Sequence, residues 1–324
     1  MTLTYKPYTE GSDQFTESFN DFTSRLVRAD ETGHSKFSPM PTEQFLNAYY
    51  NGGFSQGGNE VYNLETQFHT GVVDVARGVT GHMQAFGKFP EKFSFHDFGC
   101  AFGSLVYGFQ QIGMTATGNE PNKAWVEAGN KYCNGALSWQ PLDVALEALP
   151  YKVDLFTTLH VLEHLQDPMW ALKAMKQHLS PEGLIYICVP NASSLQYMLG
   201  GRRKDPLYSF PMHLQYFTPK SMAAHLREAG LEPMYVSTRW LPDELNGEKY
   251  ALETFLGNAM EDLVDPAAWR TAACENLLGS ELFMLAGHPE NTTASRMADL
   301  DERIEKAFRF SSIKRAKGAP KGKA

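Results

Sequence analysis

The chain has 324 residues, 43% of them hydrophobic and 20% charged, with 21 Phe, 14 Tyr and five Trp. That is ample for a packed core and excludes disorder throughout. The formal net charge is −8, and the last stretch, Lys314–Ala324, holds five basic residues and no acidic one. An acidic body does not suit a protein that holds nucleic acid through phosphate contacts, so nucleic acid is not an expected partner. Cys100, Cys133, Cys188 and Cys274 are widely spaced and form no C-x-x-C pair. No basic-then-apolar leader opens the sequence, and no apolar run reaches about 18 residues. A cytoplasmic protein without a membrane span is expected.

In chain order, residues 1–40 are polar with weak periodicity. Residues 42–50 predict a short helix that stops at Asn51-Gly52-Gly53, and a second helix follows over about 64–86. Residues 1–90 thus read as an N-terminal helical cap and substrate region. Tyr49, Tyr50, Phe54 and Tyr62 either shape an acceptor site there or pack in the core. From Phe93 the pattern changes to short apolar strands alternating with helices of 10–15 residues. These are FSFHDFG, GSLVYGFQQIG, TATGNEP, KAWVEAGNKYC, KVDLFTTL, PMWALKAMKQHL and GLIYICVP. That alternation predicts βαβ units on a parallel sheet, an α/β fold. Asp167 precedes Pro168 as a helix cap, and Thr218, Pro219 and Gly230 bound a later helix. Residues 243–278 predict a helical insertion in a core running over 91–290. Residues 291–324 predict a C-terminal helix and a flexible basic tail.

The segment Asp97-Phe98-Gly99-Cys100-Ala101-Phe102-Gly103 follows a strand and opens a helix. Gly99 and Gly103 permit a sharp bend and close backbone approach to a ligand. Glu120 lies at the end of the next strand, where a carboxylate can accept ribose hydroxyls. Asp97, at the tip of the first strand, can reach a ligand's amino group. A dinucleotide turn of the form G-x-G-x-x-G keeps only one of its glycines here, at Gly99, Ala101 and Ser104. A G-x-G-x-G turn keeps two, at Gly99, Ala101 and Gly103. An NAD(P)-binding oxidoreductase or epimerase remains the alternative, although Tyr151–Lys173 contains no Tyr-x-x-x-Lys pair. A tight turn with no ligand also remains open.

HDFGCAFGSL, TGNEPN, VDLFTTLHVLEHLQDP, LSPEGLIYICVPN and HLQYFTPKSM…REAGL occur in an order and spacing that resembles the class I S-adenosylmethionine (SAM)-dependent methyltransferases with an E-H signature after the fourth strand. The resemblance covers about residues 93–240. It implies a Rossmann-like, mainly parallel seven-stranded sheet, with ELFMLAGH as an antiparallel last strand. It implies that Asp97, Gly99, Cys100, Ala101 and Gly103 cradle the methionine and sugar of SAM and that Glu120 binds the ribose. Asn122 would neighbour the adenine, Asp143 would bond the adenine amine, and Leu159 and His160 would lie along the cofactor on the substrate side.

His160-Val161-Leu162-Glu163-His164 also matches the inverted zinc-protease pattern H-x-x-E-H. That pattern needs a helix to place its ligands on one face, and here a strand ends just before it. The element is similar to the E-x-x-E-H of small-RNA 2′-O-methyltransferases and of the O-methyltransferases of ubiquinone synthesis, with His160 in place of the first Glu. The resemblance implies His160, Glu163, His164 and His213 as ligands of one divalent ion, and three imidazoles with one carboxylate favour a transition metal. Two other readings stay open. One of His160, His164 and His213 is a metal-free base, or the E-H pair only holds its loop. The place after the fourth strand lacks [DNS]-P-P-[YF], and no Pro-Cys dipeptide exists. Those absences turn the expectation from nucleobases toward a small-molecule hydroxyl, with a ribose 2′-hydroxyl as the alternative. The sequence assigns no oligomeric state.

Overall fold

A computed structural model describes residues 3–311, apart from 11–12, 15, 20–21, 49–67, 87–88, 201–206, 240–243, 246–247, 250–265 and 293–294. The chain opens with strands β1 (Tyr5–Pro7), β2 (Thr16–Phe19), β3 (Phe22–Ala29) and β4 (Ser35–Ser38). Along β3, Ser24 and Leu26 are buried while Thr23 and Arg25 face water, the period-two pattern of a half-buried strand. The expected helical cap is therefore corrected: over 5–38 it is an antiparallel sheet. Three of the five buried strand positions, Ser24, Ala29 and Ser35, are small or polar, which hid the alternation. Helices α1 (Glu43–Ala48) and α2 (Thr70–Phe86) follow. Tyr49, Tyr50, Phe54 and Tyr62 lie outside the described residues.

The core then runs β5 (Ser94–Phe98), α3 (Ser104–Gln111), β6 (Thr115–Asn119), α4 (Lys123–Gly129), β7 (Leu137–Ser138), α5 (Leu142–Glu147), β8 (Val153–Leu159), α6 (Pro168–His178) and β9 (Leu179–Pro190). The short α7 (Leu195–Gly200) and β10 (Gln215–Tyr216) precede α8 (Pro219–Glu228) and β11 (Glu232–Arg239). After α9 (Pro266–Glu275) come β12 (Glu281–Gly287) and α10 (Leu300–Ser311). Seven strands form one sheet in the order β11-β12-β9-β8-β5-β6-β7. Strand β12 runs antiparallel to both neighbours, and the remaining pairings are parallel.

Adjacent residues on these strands enter opposite cores. Leu155, Leu184 and Leu285 pack on one face with Phe95, Val106 and Phe109. Phe156, Ile185 and Ala286 pack on the other with Leu172, Met175, Met222 and Leu226. Both faces are covered by helices, so the strands read as unbroken apolar runs. Each fully buried Phe or Leu contributes roughly 1.5–3 kcal/mol. The expected caps hold. Asp167 accepts from the backbone N–H groups of Met169 and Trp170 at 3.0 and 3.3 Å. Thr218 forms a capping box with Ser221.

Within the expected insertion, α9 is helical, whereas Glu244–Leu245 and Glu248–Lys249 pair as a small antiparallel hairpin. Residues 250–265 and the basic tail from 312 lie outside the described residues. Strand β10 pairs antiparallel with β4, Gln215 opposite Lys36 and Tyr216 opposite Ser35, which seats the N-terminal sheet beside the core. The Thr218 hydroxyl also donates to the Thr32 carbonyl at 2.6 Å. No described helix is long and apolar enough to cross a membrane.

Candidate cofactor and acceptor site

The bend after β5 alternates left-handed residues: Gly99 at φ 78°, Ala101 at 49° and Gly103 at 79°. At Gly99 a Cβ would stand 2.3 Å from Val161 Cγ2, so the bend closes tightly against the loop after β8. Ala101 accepts a conformation that costs an L-residue roughly 1–2 kcal/mol. It thereby aims its N–H at Glu120 Oε2, 3.3 Å away. The other oxygen, Oε1, accepts the Asn122 N–H at 3.0 Å. Burial raises the Glu120 pKa and the two N–H groups pull it back down.

Asp97 sits at the carboxyl end of β5 and accepts the Thr157 hydroxyl at 2.6 Å. Burial raises its pKa to about 6; the Thr157 bond opposes the rise and Glu120 adds to it. His96, which the sequence reading passed over, braces the next strand. Its Nδ1 meets Thr117 Oγ1 at 2.8 Å and its Nε2 meets Asn119 Oδ1 at 3.0 Å. Burial lowers its pKa to about 4.

Three expected cofactor residues stand differently from the rest. The Cys100 side chain turns away from the bend: a Cβ at Gly118 would meet its Sγ at 3.0 Å. The Asn122 side chain caps α4, accepting from the N–H groups of Ala124 and Trp125 at 3.1 and 3.2 Å. Asp143 lies in the first turn of α5 and accepts from the Val144 N–H at 2.9 Å. Leu159 closes β8 opposite Cys188.

The histidine element divides into two groups. Residues 162–164 form a single 3-10 turn, and the Leu214 N–H donates to the Glu163 carbonyl at 2.7 Å. Gln215 Nε2 donates to the carbonyls of Leu165 and Gln166 at 2.8 and 3.0 Å. These bonds bring His213 to His164, with ring centroids 4.7 Å apart. The ligating atoms of Glu163, His164 and His213 all lie within 4.8 Å of one another. Nδ1 of His164 faces the Met212 carbonyl at 3.0 Å, and Nδ1 of His213 faces the Leu207 carbonyl at 2.7 Å. A carbonyl only accepts, so both Nδ1 atoms carry the proton and each ring presents Nε2 as a lone pair. Burial lowers the His213 pKa to about 4.

Glu163 is fully buried, and its Oε1 is met by the rings of His160 at 3.3 Å and His164 at 4.0 Å. Burial acts to raise its pKa, but His160, His164 and His213 together outweigh that and hold it lowered.

His160 stands apart from the ligand set expected of it. It takes φ 55° and donates its backbone N–H to the Cys188 carbonyl at 2.9 Å. Its Nε2 lies 3.4 Å from Cys188 Sγ and 3.1 Å from Glu281 Oε1, and its Nδ1 lies 3.3 Å from Glu163 Oε1. Contacts with Cys188, Glu163 and Glu281 push its pKa up to about 12. These contacts favour the protonated ring. Cys188 and Glu281 escaped the sequence reading because their meeting depends on the antiparallel register of β9 and β12.

A mainly parallel sheet with a glycine bend facing a strand-end carboxylate is the arrangement of nucleotide-binding α/β domains. Residues 79–236 match the family model described as a methyltransferase domain. Over that stretch, just under half of its length, the chain is similar to SAM-dependent methyltransferases. It is 25% identical over 146 residues to the ubiquinone biosynthesis O-methyltransferase of Pseudomonas aeruginosa (strain LESB58), covering 42% of this chain and 63% of that one. It is 28% identical over 112 residues to the enzyme of the same description from Haemophilus ducreyi, covering 32% and 48%. The chain thus spans less than two thirds of the curated relatives it matches. A magnesium protoporphyrin IX methyltransferase from Synechocystis PCC 6803 aligns at 14% identity and a TM-score of 0.47, over 76% of this chain and all of that one.

Proposed function

We propose that this protein transfers the methyl group of SAM to a hydroxyl of a small molecule, at a site where Glu163, His164 and His213 hold a divalent transition ion. The observation that carries the reading is the fully buried Glu163 carboxylate, met on one side by the His160 ring and faced on the other by two imidazoles locked to backbone carbonyls. That is the outer-sphere arrangement of metal-ligating histidines, and two imidazoles with one carboxylate leave positions for a substrate. The relatives named above are described as O-methyltransferases, which agrees with an oxygen acceptor.

The residues present fit SAM. Glu120 stands where a carboxylate accepts the ribose hydroxyls, and ionised Asp97 stands where one pairs with the methionine ammonium. The left-handed bend at 99–103 lets the backbone approach the sugar. Bound there, SAM supplies an already activated sulfonium methyl group. The protein's part is to align the acceptor oxygen with the S–CH3 bond and to keep water out. As the oxygen forms its bond to carbon, the S–C pair stays on sulfur and the hydroxyl proton leaves to solvent. An ion at Glu163, His164 and His213 would lower that hydroxyl's pKa and orient it. His160, between Glu163 and Glu281, orients the Glu163 side chain.

The test has two arms. Calorimetric titration with S-adenosylhomocysteine should give binding and NAD none; NAD alone binding would overturn the cofactor. Labelled methyl from SAM should pass to phenols, catechols or sugar hydroxyls and not to RNA, and chelation should lower turnover until divalent ion is restored. Turnover unchanged by chelation would remove the ion and leave neutral His213 as the base.

A further inference from the structure

We propose that His160 Nε2, Cys188 Sγ and the Glu281 carboxylate form a second metal site, for a zinc-like divalent ion, distinct from the Glu163, His164 and His213 set. The three ligand atoms lie within 4.8 Å of one another. The sheet brings them there. Cys188 pairs with Phe283 across β9 and β12, and Glu281, two residues before Phe283, points to the same face. Leu159 pairs with Cys188 in parallel register, and His160 follows it directly. Its left-handed backbone turns the ring back over β9. Such strain in a non-glycine residue gathers at ligand sites.

The spacing is that of a tetrahedral edge. Zinc bonds to imidazole nitrogen, carboxylate oxygen and thiolate sulfur set neighbouring donors about 3.4 Å apart for N and O and about 3.6 Å for N and S. Here N–O is 3.1 Å and N–S is 3.4 Å. The Glu281 side chain is partly exposed, so it can swing to close the third edge and leave an entry path. His160 Nε2 faces the thiol sulfur and a carboxylate oxygen together, and one ion can bond to all three groups at once.

The Nδ1 side of the ring faces the buried Glu163 carboxylate at 3.3 Å, giving the carboxylate–histidine–metal arrangement that fixes the ring. One thiolate, one imidazole and one carboxylate select a borderline-soft ion over magnesium and leave a fourth position to water. On binding, the ion replaces the protons of Cys188 Sγ and His160 Nε2, which pass to solvent.

The probe is cobalt(II), added to the metal-stripped full chain. Thiolate coordination should give a sulfur-to-cobalt charge-transfer band in the near ultraviolet. Cys188→Ser should abolish the band and lower bound cobalt by one equivalent. His213→Ala should keep the band while losing the other equivalent, which separates this site from the one in the proposed mechanism. Glu281→Gln should weaken the band-forming event by about tenfold or more. Binding of S-adenosylhomocysteine reports that each variant is folded; should Cys188→Ser fail that check, the wild-type band and Glu281→Gln decide. The absence of a band in the wild-type chain, or its persistence in Cys188→Ser, would overturn the site and leave a hydrogen-bonded trio.

Discussion

The Ala101 N–H meets the Glu120 carboxylate at 3.3 Å, tying the left-handed bend after β5 to the tip of β6. The same carboxylate takes the Asn122 N–H, so its orientation is set before any ligand arrives. Preorganisation of this kind reduces the ordering cost of binding. Charge-assisted hydrogen bonds contribute about 1.5–3 kcal/mol each. Glu120→Ala should therefore weaken S-adenosylhomocysteine by about a hundredfold or more, read by calorimetry. Glu120→Gln should fall between it and wild type.

Cofactor affinity should depend on Asp97. Its pKa is raised to about 6, so the folded protein favours the protonated carboxyl. A raised carboxyl disfavours folding above that pH, and the penalty fades as pH falls from about 6 toward 4. The ligand's ammonium needs the ionised form. Affinity for S-adenosylhomocysteine should be level just above about pH 7, where the ligand's amine is still charged, and fall toward tenfold per unit below about pH 6. Asp97→Asn should bind more weakly at pH 7 and lose that slope.

Gly99 should resist any side chain. Its φ is 78°, and a Cβ would overlap Val161 Cγ2 at 2.3 Å. Gly99→Ala combines left-handed strain with overpacking, for a loss of about 2–4 kcal/mol in denaturant unfolding. The double variant with Val161→Ala should recover the steric part and leave the strain.

Ala101→Gly should do the opposite. Relief of strain at φ 49° is worth about 1–2 kcal/mol, and the extra freedom of glycine in the unfolded chain offsets about 0.5–1. Stability should stay level or rise slightly, and cofactor binding should persist, since the N–H to Glu120 is retained.

Thr218 joins the N-terminal sheet to the core. It caps α8 through the Ser221 N–H at 3.1 Å and donates to the Thr32 carbonyl. Thr218→Val keeps the volume, loses both bonds, and should cost about 2–3 kcal/mol. Thr218→Ser should recover most of that, as read by thermal unfolding.

The sequence by itself determined the elements whose signals are local. Asp97, the bend at 99–103 and Glu120 are separated by one strand and one helix, so their meeting follows from the right-handed βαβ rule alone. The caps at Asp167 and Thr218 were legible for the same reason. The tertiary structure decided what depends on register and long-range closure. Strands β1–β4 alternate over small and polar residues, so only their pairing with one another, and of β4 with β10, revealed them. His213 reaches His164 through bonds from Leu214 and Gln215 that no spacing encodes. His160 left the expected ligand set because β9 and β12 pair so as to place Cys188 and Glu281 beside it. A shift of that register by one residue would turn the Cys188 and Glu281 partners to opposite faces of the sheet.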